Sequence, residues 1–218
     1  MVAKAVDFRA DTLAAWQERL GGVPLSRICV NPSPGTATEE DLLEYLEHQN
    51  RNFELIDGAL VEKPVAFRES SLAMTLGRIV GNFVVASDLG MMGGGDGPFR
   101  MLSGNVRLPD VSFVPWSAMP NEEAPEDAIW SVVPALAVEV LSKSNTKREI
   151  DRKIGELFDL GTRLIWVIDP PTESAVIYRS GEEPEEIGPD GVLDGGAVLP
   201  GFRLALAELF GSLKKRSG

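Results

Sequence analysis

The chain has 218 residues, of which 44% are hydrophobic, and a formal net charge of −12 at pH 7. This length and hydrophobic content are enough for one core of ordinary size, so we expect one main domain. A single cysteine excludes an internal disulfide framework, and a single histidine excludes a His-rich zinc site. The remaining metal chemistry is that of hard cations with oxygen ligands, Mg²⁺ or Mn²⁺.

The charge and the apolar segments also bear on partners and location. No stretch approaches the ~20 consecutive apolar residues that span a bilayer, and residues 1–7 lack the apolar segment of a secretory signal. We therefore expect a cytoplasmic protein with no membrane partner. The acidic excess is atypical of nucleic-acid binders, which usually carry a basic surface. Residues 143–153 are rich in lysine and arginine, however, and predict a local positive face that favours a phosphate substrate.

The first half of the chain predicts an extension followed by a mixed domain. Residues 1–35 are interpreted as an N-terminal extension and residues 36–218 as the domain. Its first elements are a helix ending near His48, a hairpin at 53–61 with a type I′ turn at Asp57-Gly58, and a helix at about 70–87.

The second half alternates strands with one long helix. Its predicted elements are a glycine-rich turn at 91–97, strands at about 99–103, 105–108 and 110–114, an exposed acidic loop at 117–128, a strand at 135–141, a helix at 146–160, strands at 163–168 and 175–178, a hairpin-like pair and a short helix near 205–213. The fold class is α/β or α+β, built round a mixed sheet with flanking helices.

Two carboxylates lie in or beside strands that should be buried. Glu139 interrupts the apolar run 135–141, and Asp110 opens the strand 110–114. An unpaired carboxylate inside such a strand costs several kcal/mol, as an order of magnitude, unless a cation or a donor compensates it. A metal ion held between Glu139 and Asp110 would supply that compensation.

Lys153 is placed near Glu139 by simple geometry. The chain climbs roughly 10 Å from Glu139 to Ser142 as a strand, and it descends roughly 10 Å from Thr146 to Lys153 as a helix. A strand–helix–strand unit of this kind is usually a right-handed parallel crossover, so the helix returns along the strand. Lys153 is thereby predicted to reach the level of Glu139, and Lys147 in the first turn is its rival.

These residues resemble the Uma-two family of restriction-endonuclease-like proteins, within the PD-(D/E)xK nuclease superfamily. The resemblance covers about residues 36–210. The matching pieces, in order, are Phe53-Glu54-Leu55-Ile56-Asp57-Gly58, Pro109-Asp110-Val111-Ser112-Phe113, Val138 to Asn145, Lys153, Trp166-Val167-Ile168-Asp169-Pro170 and Leu199-Pro200-Gly201-Phe202.

The resemblance implies a restriction-endonuclease-like mixed sheet and a metal-dependent endonuclease, a hydrolase that cleaves nucleic acid. It implies Asp110 and Glu139 as catalytic ligands of Mg²⁺ or Mn²⁺, Glu54 as a further acidic residue near the metal, DNA as the substrate and a homodimer. The superfamily's usual lysine, two residues after the glutamate, is replaced here by Leu141. Lys153 is the catalytic residue that would take its place.

Two other functions fit the same residues. A catalytically silent protein with the nuclease fold, kept for binding, agrees with the acidic charge and with Leu141. An enzyme that acts on a small phosphate-containing substrate agrees with the acidic charge as well. The position of the Lys153 side chain relative to Asp110 and Glu139 separates the enzyme from the silent protein.

Overall fold

The computed structural model describes residues 12–48, 51–64 and 66–213. Its centre is a six-stranded mixed sheet. The spatial order of the strands is β10 (Glu185–Ile187), β9 (Ser174–Arg179), β8 (Leu164–Asp169), β7 (Leu136–Val140), β6 (Val111–Pro115) and β3 (Gly90–Gly94). Only one neighbouring pair in this sheet, β7 with β8, runs parallel. The predicted fold class is confirmed.

Helices cover both faces of this sheet. The apolar stripe of α3 (Phe67–Ala86) packs on one face, and that of α4 (Lys147–Leu160) packs on the other. Thr146 and Glu149 form the predicted capping box of α4, and Gly161 ends the helix in the left-handed conformation. All five residues of β7 are buried, Glu139 included, as expected for a strand covered on both faces. The short helix α5 (Leu206–Gly211) contacts α3.

A second, four-stranded sheet stands beside the first. Its order is β2 (Ala59–Glu62), β1 (Phe53–Ile56), β5 (Val106–Arg107) and β4 (Phe99–Arg100), and α2 (Glu39–His48) packs on β1. The turn between β1 and β2 has Asp57 at φ 51° and Gly58 at φ 74°, so the predicted type I′ hairpin is confirmed. A two-stranded hairpin, β11 (Val192–Asp194) with β12 (Arg203–Ala205), completes the strands described.

The glycine-rich segment 91–97 differs from its prediction. Residues expected to form a turn instead form most of the edge strand β3, which pairs with β6 along its whole length. A Cβ at Gly93 would collide with the hydroxyl of Ser112, so the glycine allows this close approach at the cost of strand propensity. Strands β4 and β5 are also shorter than predicted, and α3 begins at Phe67 rather than near 70.

The described part of the N-terminal segment packs against the second sheet. Helix α1 (Leu13–Arg19) and the following residues bury Trp16, Leu20 and Val23 against Ile56 and Val61. Residues 1–11 lie outside the described residues, and the domain boundary at 35/36 stays a prediction. No helix among the described residues is both long and apolar enough to cross a membrane.

Candidate active site

Asp110 and Glu139 lie beside each other where β6 begins next to β7, in the interior of the central sheet. Asp110 directly precedes β6, and its backbone N–H donates to the carbonyl of Val138 at 2.9 Å. Its Oδ2 accepts a hydrogen bond of 2.6 Å from the backbone N–H of Val140, the residue after Glu139. The pairing of β6 with β7 therefore fixes the aspartate beside the glutamate.

Lys153 reaches both Glu139 and the second sheet. Its Nζ lies 2.6 Å from Glu139 Oε1 and 2.8 Å from Glu54 Oε1, and it donates to the carbonyl of Leu108 at 3.0 Å. The predicted position of Lys153 at the level of Glu139 is confirmed. Its rival Lys147 has a side chain that is 86% exposed and pairs with Asp151. Glu139 and Lys153 are each about 95% buried or more.

Glu54 is held by three different donors or cations. Besides Lys153, Arg107 donates to its Oε2 at 2.9 Å, and the backbone N–H of Leu108 donates to its Oε1 at 2.8 Å. Burial alone would raise the pKa of Glu54, but the charges of Lys153, Arg107 and Lys63 outweigh burial and hold the pKa well below its usual range. Glu54 is therefore a compensated anion, and its role as a third metal ligand stays a prediction.

Glu139 is less well compensated than Glu54. Burial, together with the neighbouring charge of Asp110, raises its pKa to about 7 in spite of the charge of Lys153. Glu139 Oε1 pairs with the ammonium of Lys153 at 2.6 Å, and Glu139 shares this one cation with Glu54. A buried carboxylate whose negative charge is incompletely compensated, and which lies next to a second carboxylate, suits a hard divalent cation.

Asp110 and Glu139 are the residues that fit such a cation. They share a crevice of about 20 Å³ with Glu54, Lys63 and Lys153, a volume close to that of one water or one ion. Within the described ranges, however, no group of three or more His, Cys, Asp or Glu side chains is arranged to hold a metal ion. Two carboxylates are enough for Mg²⁺, which usually keeps several waters.

Lys63 is a site residue that the sequence did not reveal. It follows β2, and its Nζ lies 2.8 Å from Asp110 Oδ1 and donates to the carbonyl of Leu108 at 2.6 Å. Its side chain is only 9% exposed. A lysine beside a proline after a predicted strand carries no local signal of burial. The one feature of the sequence that could have indicated Lys63 is its place directly after the strand that pairs with the Glu54 strand.

Arg27 also lines the crevice and was not predicted. It forms a two-pronged ion pair with Glu149 at 2.5 and 3.0 Å and donates to the carbonyl oxygens of Glu62 and Ser144. The described part of the N-terminal segment thus ties β2 to the loop between β7 and α4. This tie holds the two sides of the crevice together.

The predicted positive face at residues 143–153 is largely neutralised. Lys147 pairs with Asp151, Arg148 with Glu18, and Arg152 with both Asp57 and Glu156, while Lys153 is buried between glutamates. The local positive face is therefore weaker than the sequence indicated, because Asp151 and Glu156 of the same helix, and Glu18 and Asp57 of distant segments, pair with its basic residues. Leu141, at the usual lysine position, lines a separate, largely apolar pocket with Val167, Val176 and Tyr178.

A larger groove opens beside the crevice. It has a volume of about 490 Å³ and lies between α3 and the glycine-rich segment that includes β3. Lys63, Pro64, Asp110 and Val140 line both the groove and the crevice. The groove therefore leads from solvent to the carboxylates.

Comparison with known proteins identifies the family of this chain. The sequence profile of the Uma2 family, described as "Putative restriction endonuclease", matches residues 39–207. A crystal structure of "a putative nuclease belonging to DUF820" from Anabaena variabilis superposes with a TM-score of 0.69 at 22% identity, covering 79% of this chain and 98% of that one. The curated proteins contain no match. Because the profile spans well over half of the sequence, the chain belongs to the Uma2 family of restriction-endonuclease-like proteins.

Proposed function

We propose that the protein is a metal-dependent endonuclease that hydrolyses phosphodiester bonds in nucleic acid. The observation that carries this proposal is the crevice in which Asp110, Glu139 and Lys153 converge, with Glu139 buried and incompletely compensated. Perturbed ionisable groups that converge in a cleft are typical of active sites. Membership of the family supports the reaction class.

The roles of the residues follow from their contacts. Asp110 and Glu139 would hold Mg²⁺ or Mn²⁺, which supplies Lewis-acid polarisation of a phosphate and a lowered pKa for water. Lys153 keeps a buried positive charge beside Glu139, where it would stabilise negative charge that develops on the phosphate. Burial would lower the pKa of Lys153, but Glu139, Glu54 and Asp110 raise it above its usual value, so the ammonium stays charged. Glu54 and Arg107 position Lys153 from the second sheet.

On the family resemblance we propose DNA as the substrate and a homodimer as the working assembly. On the sequence pattern we propose the cytoplasm as the location. The silent binding protein stays the second candidate, and one observation favours it: lysines already occupy Asp110 Oδ1 and Glu139 Oε1.

Cleavage of supercoiled plasmid DNA with Mn²⁺ tests the proposal. Wild type should cut the plasmid, and Asp110→Asn, which removes a ligand charge without a change of shape, should reduce cutting by about 10²-fold or more. The matched control is Asp151→Asn, the same change at an exposed carboxylate of α4, which should cut like wild type.

Calorimetric titration with Mn²⁺ separates the two candidates. We expect wild type to bind Mn²⁺, and Asp110→Asn and Glu139→Gln each to lose that binding while circular dichroism shows an intact fold. Equal cutting by wild type and Asp110→Asn would contradict the assignment of the active site. No cutting and no bound Mn²⁺, with retention of a labelled oligonucleotide, would establish the silent binding protein instead.

A further inference from the structure

Lys63 stands at the boundary between the large groove and the small crevice. The two cavities share four lining residues, Lys63, Pro64, Asp110 and Val140. Lys63 is the shared residue with a positive charge, and its ammonium contacts Asp110 directly. A ligand in the groove that reaches Asp110 therefore also comes close to this ammonium.

Both oxygens of Asp110 are engaged, but the two partners differ in mobility. Oδ2 accepts from the backbone N–H of Val140, which is part of β7 and cannot move without breaking the sheet. Oδ1 is paired with Lys63 Nζ at 2.8 Å, at the end of a side chain with four rotatable bonds. A divalent cation that binds Asp110 competes with the ammonium for Oδ1, because two positive charges at one oxygen repel each other.

The contacts of Lys63 also indicate where its ammonium goes when it leaves Asp110. Nζ already donates to the carbonyl of Leu108 and lies 3.5 Å from the carbonyl of Gly95. Gly95 lines the groove, and Glu54 and Glu139 are already paired with Lys153. The groove side is therefore the open direction for the displaced ammonium.

The groove itself has little other positive charge. Of its described lining residues, Lys63 and Arg78 are basic, whereas Glu69, Asp96 and Asp110 are acidic. A nucleic-acid strand in this groove would bring its phosphates past acidic side chains, where each basic contact matters. Of the two basic residues that line the groove, Lys63 is the one that contacts Asp110.

We propose that Lys63 is an exchange residue: it neutralises Asp110 until a divalent cation binds there, and it then contacts the phosphate of a nucleic-acid strand in the groove. The inference rests on the proposed function, since it assumes the metal site at Asp110 and Glu139. It predicts that removal of the Lys63 charge changes metal affinity and substrate affinity in opposite directions. A purely structural lysine would not do this, because a damaged site weakens both.

The first measurement is calorimetric Mn²⁺ titration of wild type, Lys63→Met and Lys63→Arg. Lys63→Met should bind Mn²⁺ about tenfold more tightly, the scale on which one neighbouring charge changes a carboxylate's affinity for a cation. Lys63→Arg keeps the charge and should stay close to wild type. Lys147→Met is the control, since it removes the same charge at an exposed position on α4. If Lys63→Met does not fold, Lys63→Gln carries the same expectation.

The second measurement is fluorescence anisotropy of a short labelled single-stranded oligonucleotide at saturating Ca²⁺, another hard cation with oxygen ligands. Lys63→Met should bind the oligonucleotide several-fold more weakly, and its dependence on salt should fall by about one phosphate contact. Lys63→Arg and Lys147→Met should match wild type.

The outcomes distinguish this inference from the function on which it rests. If wild type binds Mn²⁺ and Lys63→Met binds it no more tightly, the exchange is wrong and the metal site stands. If neither protein binds Mn²⁺, the metal site fails and the inference fails with it. Tighter Mn²⁺ binding with unchanged oligonucleotide affinity would overturn the phosphate contact.

Discussion

Glu54 and Glu139 are two buried glutamates that share one lysine, yet their environments are opposite. Glu54, on the second sheet, also has Arg107 and a backbone N–H as partners, and its pKa lies well below the usual range. Glu139, on the central sheet, has Asp110 as a neighbour, and burial together with that charge raises its pKa to about 7. The chain compensates one carboxylate and leaves the other short of positive charge.

From this difference we propose a supporting role for Glu54 and a chemical role for Glu139. Around Glu54, ion pairs join β1, β5 and α4 through Arg107 and Glu156, so the second sheet holds Lys153 in place. At Glu139 the deficit of positive charge lies in the crevice that opens to the groove. A protein that only needed stability would gain little from such a carboxylate, which is why we assign the chemistry to this side.

Removal of a cation from the ion-pair network around Glu54 should have the largest effect on the stability of the protein. Arg107 has a side chain that is 1% exposed and pairs with both Glu54 and Glu156. Arg107→Met would remove a buried cation that Glu54 and Glu156 share, so we expect a loss of about 3–5 kcal/mol in the free energy of unfolding. Urea denaturation followed by circular dichroism measures this loss.

An exposed arginine provides the control for Arg107. Arg203 pairs with Asp194, but its side chain is 64% exposed, so Arg203→Ala should cost less than about 1 kcal/mol. Similar losses in the two variants would show that the buried network around Glu54 does not support the fold in the way the contacts indicate.

Neutralising each glutamate in turn should change stability with opposite signs. The native pKa of Glu139, about 7, is above its ordinary value of 4.5, so the native state holds more protons than the unfolded state between these values. Stability falls as pH rises through this window. Without metal, Glu139→Gln lacks this titrating carboxylate and should therefore be more stable than wild type at neutral pH. Its advantage in the free energy of unfolding should grow by an amount on the order of 2 kcal/mol as the pH rises from about 5 to about 8.

Glu54→Gln is the matched variant of the previous comparison. The native pKa of Glu54 is lowered, so its contribution is present above the unfolded pKa and is lost as pH falls through the native value. Glu54→Gln should be less stable than wild type at neutral pH, and the difference should shrink in acid. Denaturant unfolding in a chelator measures both variants; shifts of the same sign would remove the distinction between the two glutamates.

The positions of Glu139 and Lys153 in the site were predictable from local sequence. An apolar run located the strand of Glu139, and the capping box at Thr146 located the start of α4. Known rises per residue then placed Lys153 at the level of Glu139. Each of these steps uses residues that are close in sequence, for which periodicity and capping are reliable signals.

The buried arginines that pair with Glu54 and Glu149 were not predictable in the same way. Arg107 and Glu54 are 53 positions apart, and Arg27 and Glu149 are 122 positions apart. Cations on short strands and turns normally predict solvent exposure, and only the packing of the two sheets shows that these are buried. Long-range pairs also neutralise Arg148 and Arg152 in the basic segment that had suggested a local positive face.

The smallest expected effect tests which lysine of α4 belongs to the site. Lys147 is in the first turn, pairs with Asp151 and is largely exposed, whereas Lys153 is buried between Glu54 and Glu139. An exposed pair within one helix contributes little and is screened by salt, so Lys147→Met should match wild type in thermal stability and in plasmid cutting.

Lys153→Met should lose cutting, because no other ammonium contacts Glu139 among the described residues. Loss of cutting in Lys147→Met, with Mn²⁺ still bound, would move the catalytic lysine to the start of the helix and would leave Lys153 as a support for Glu54.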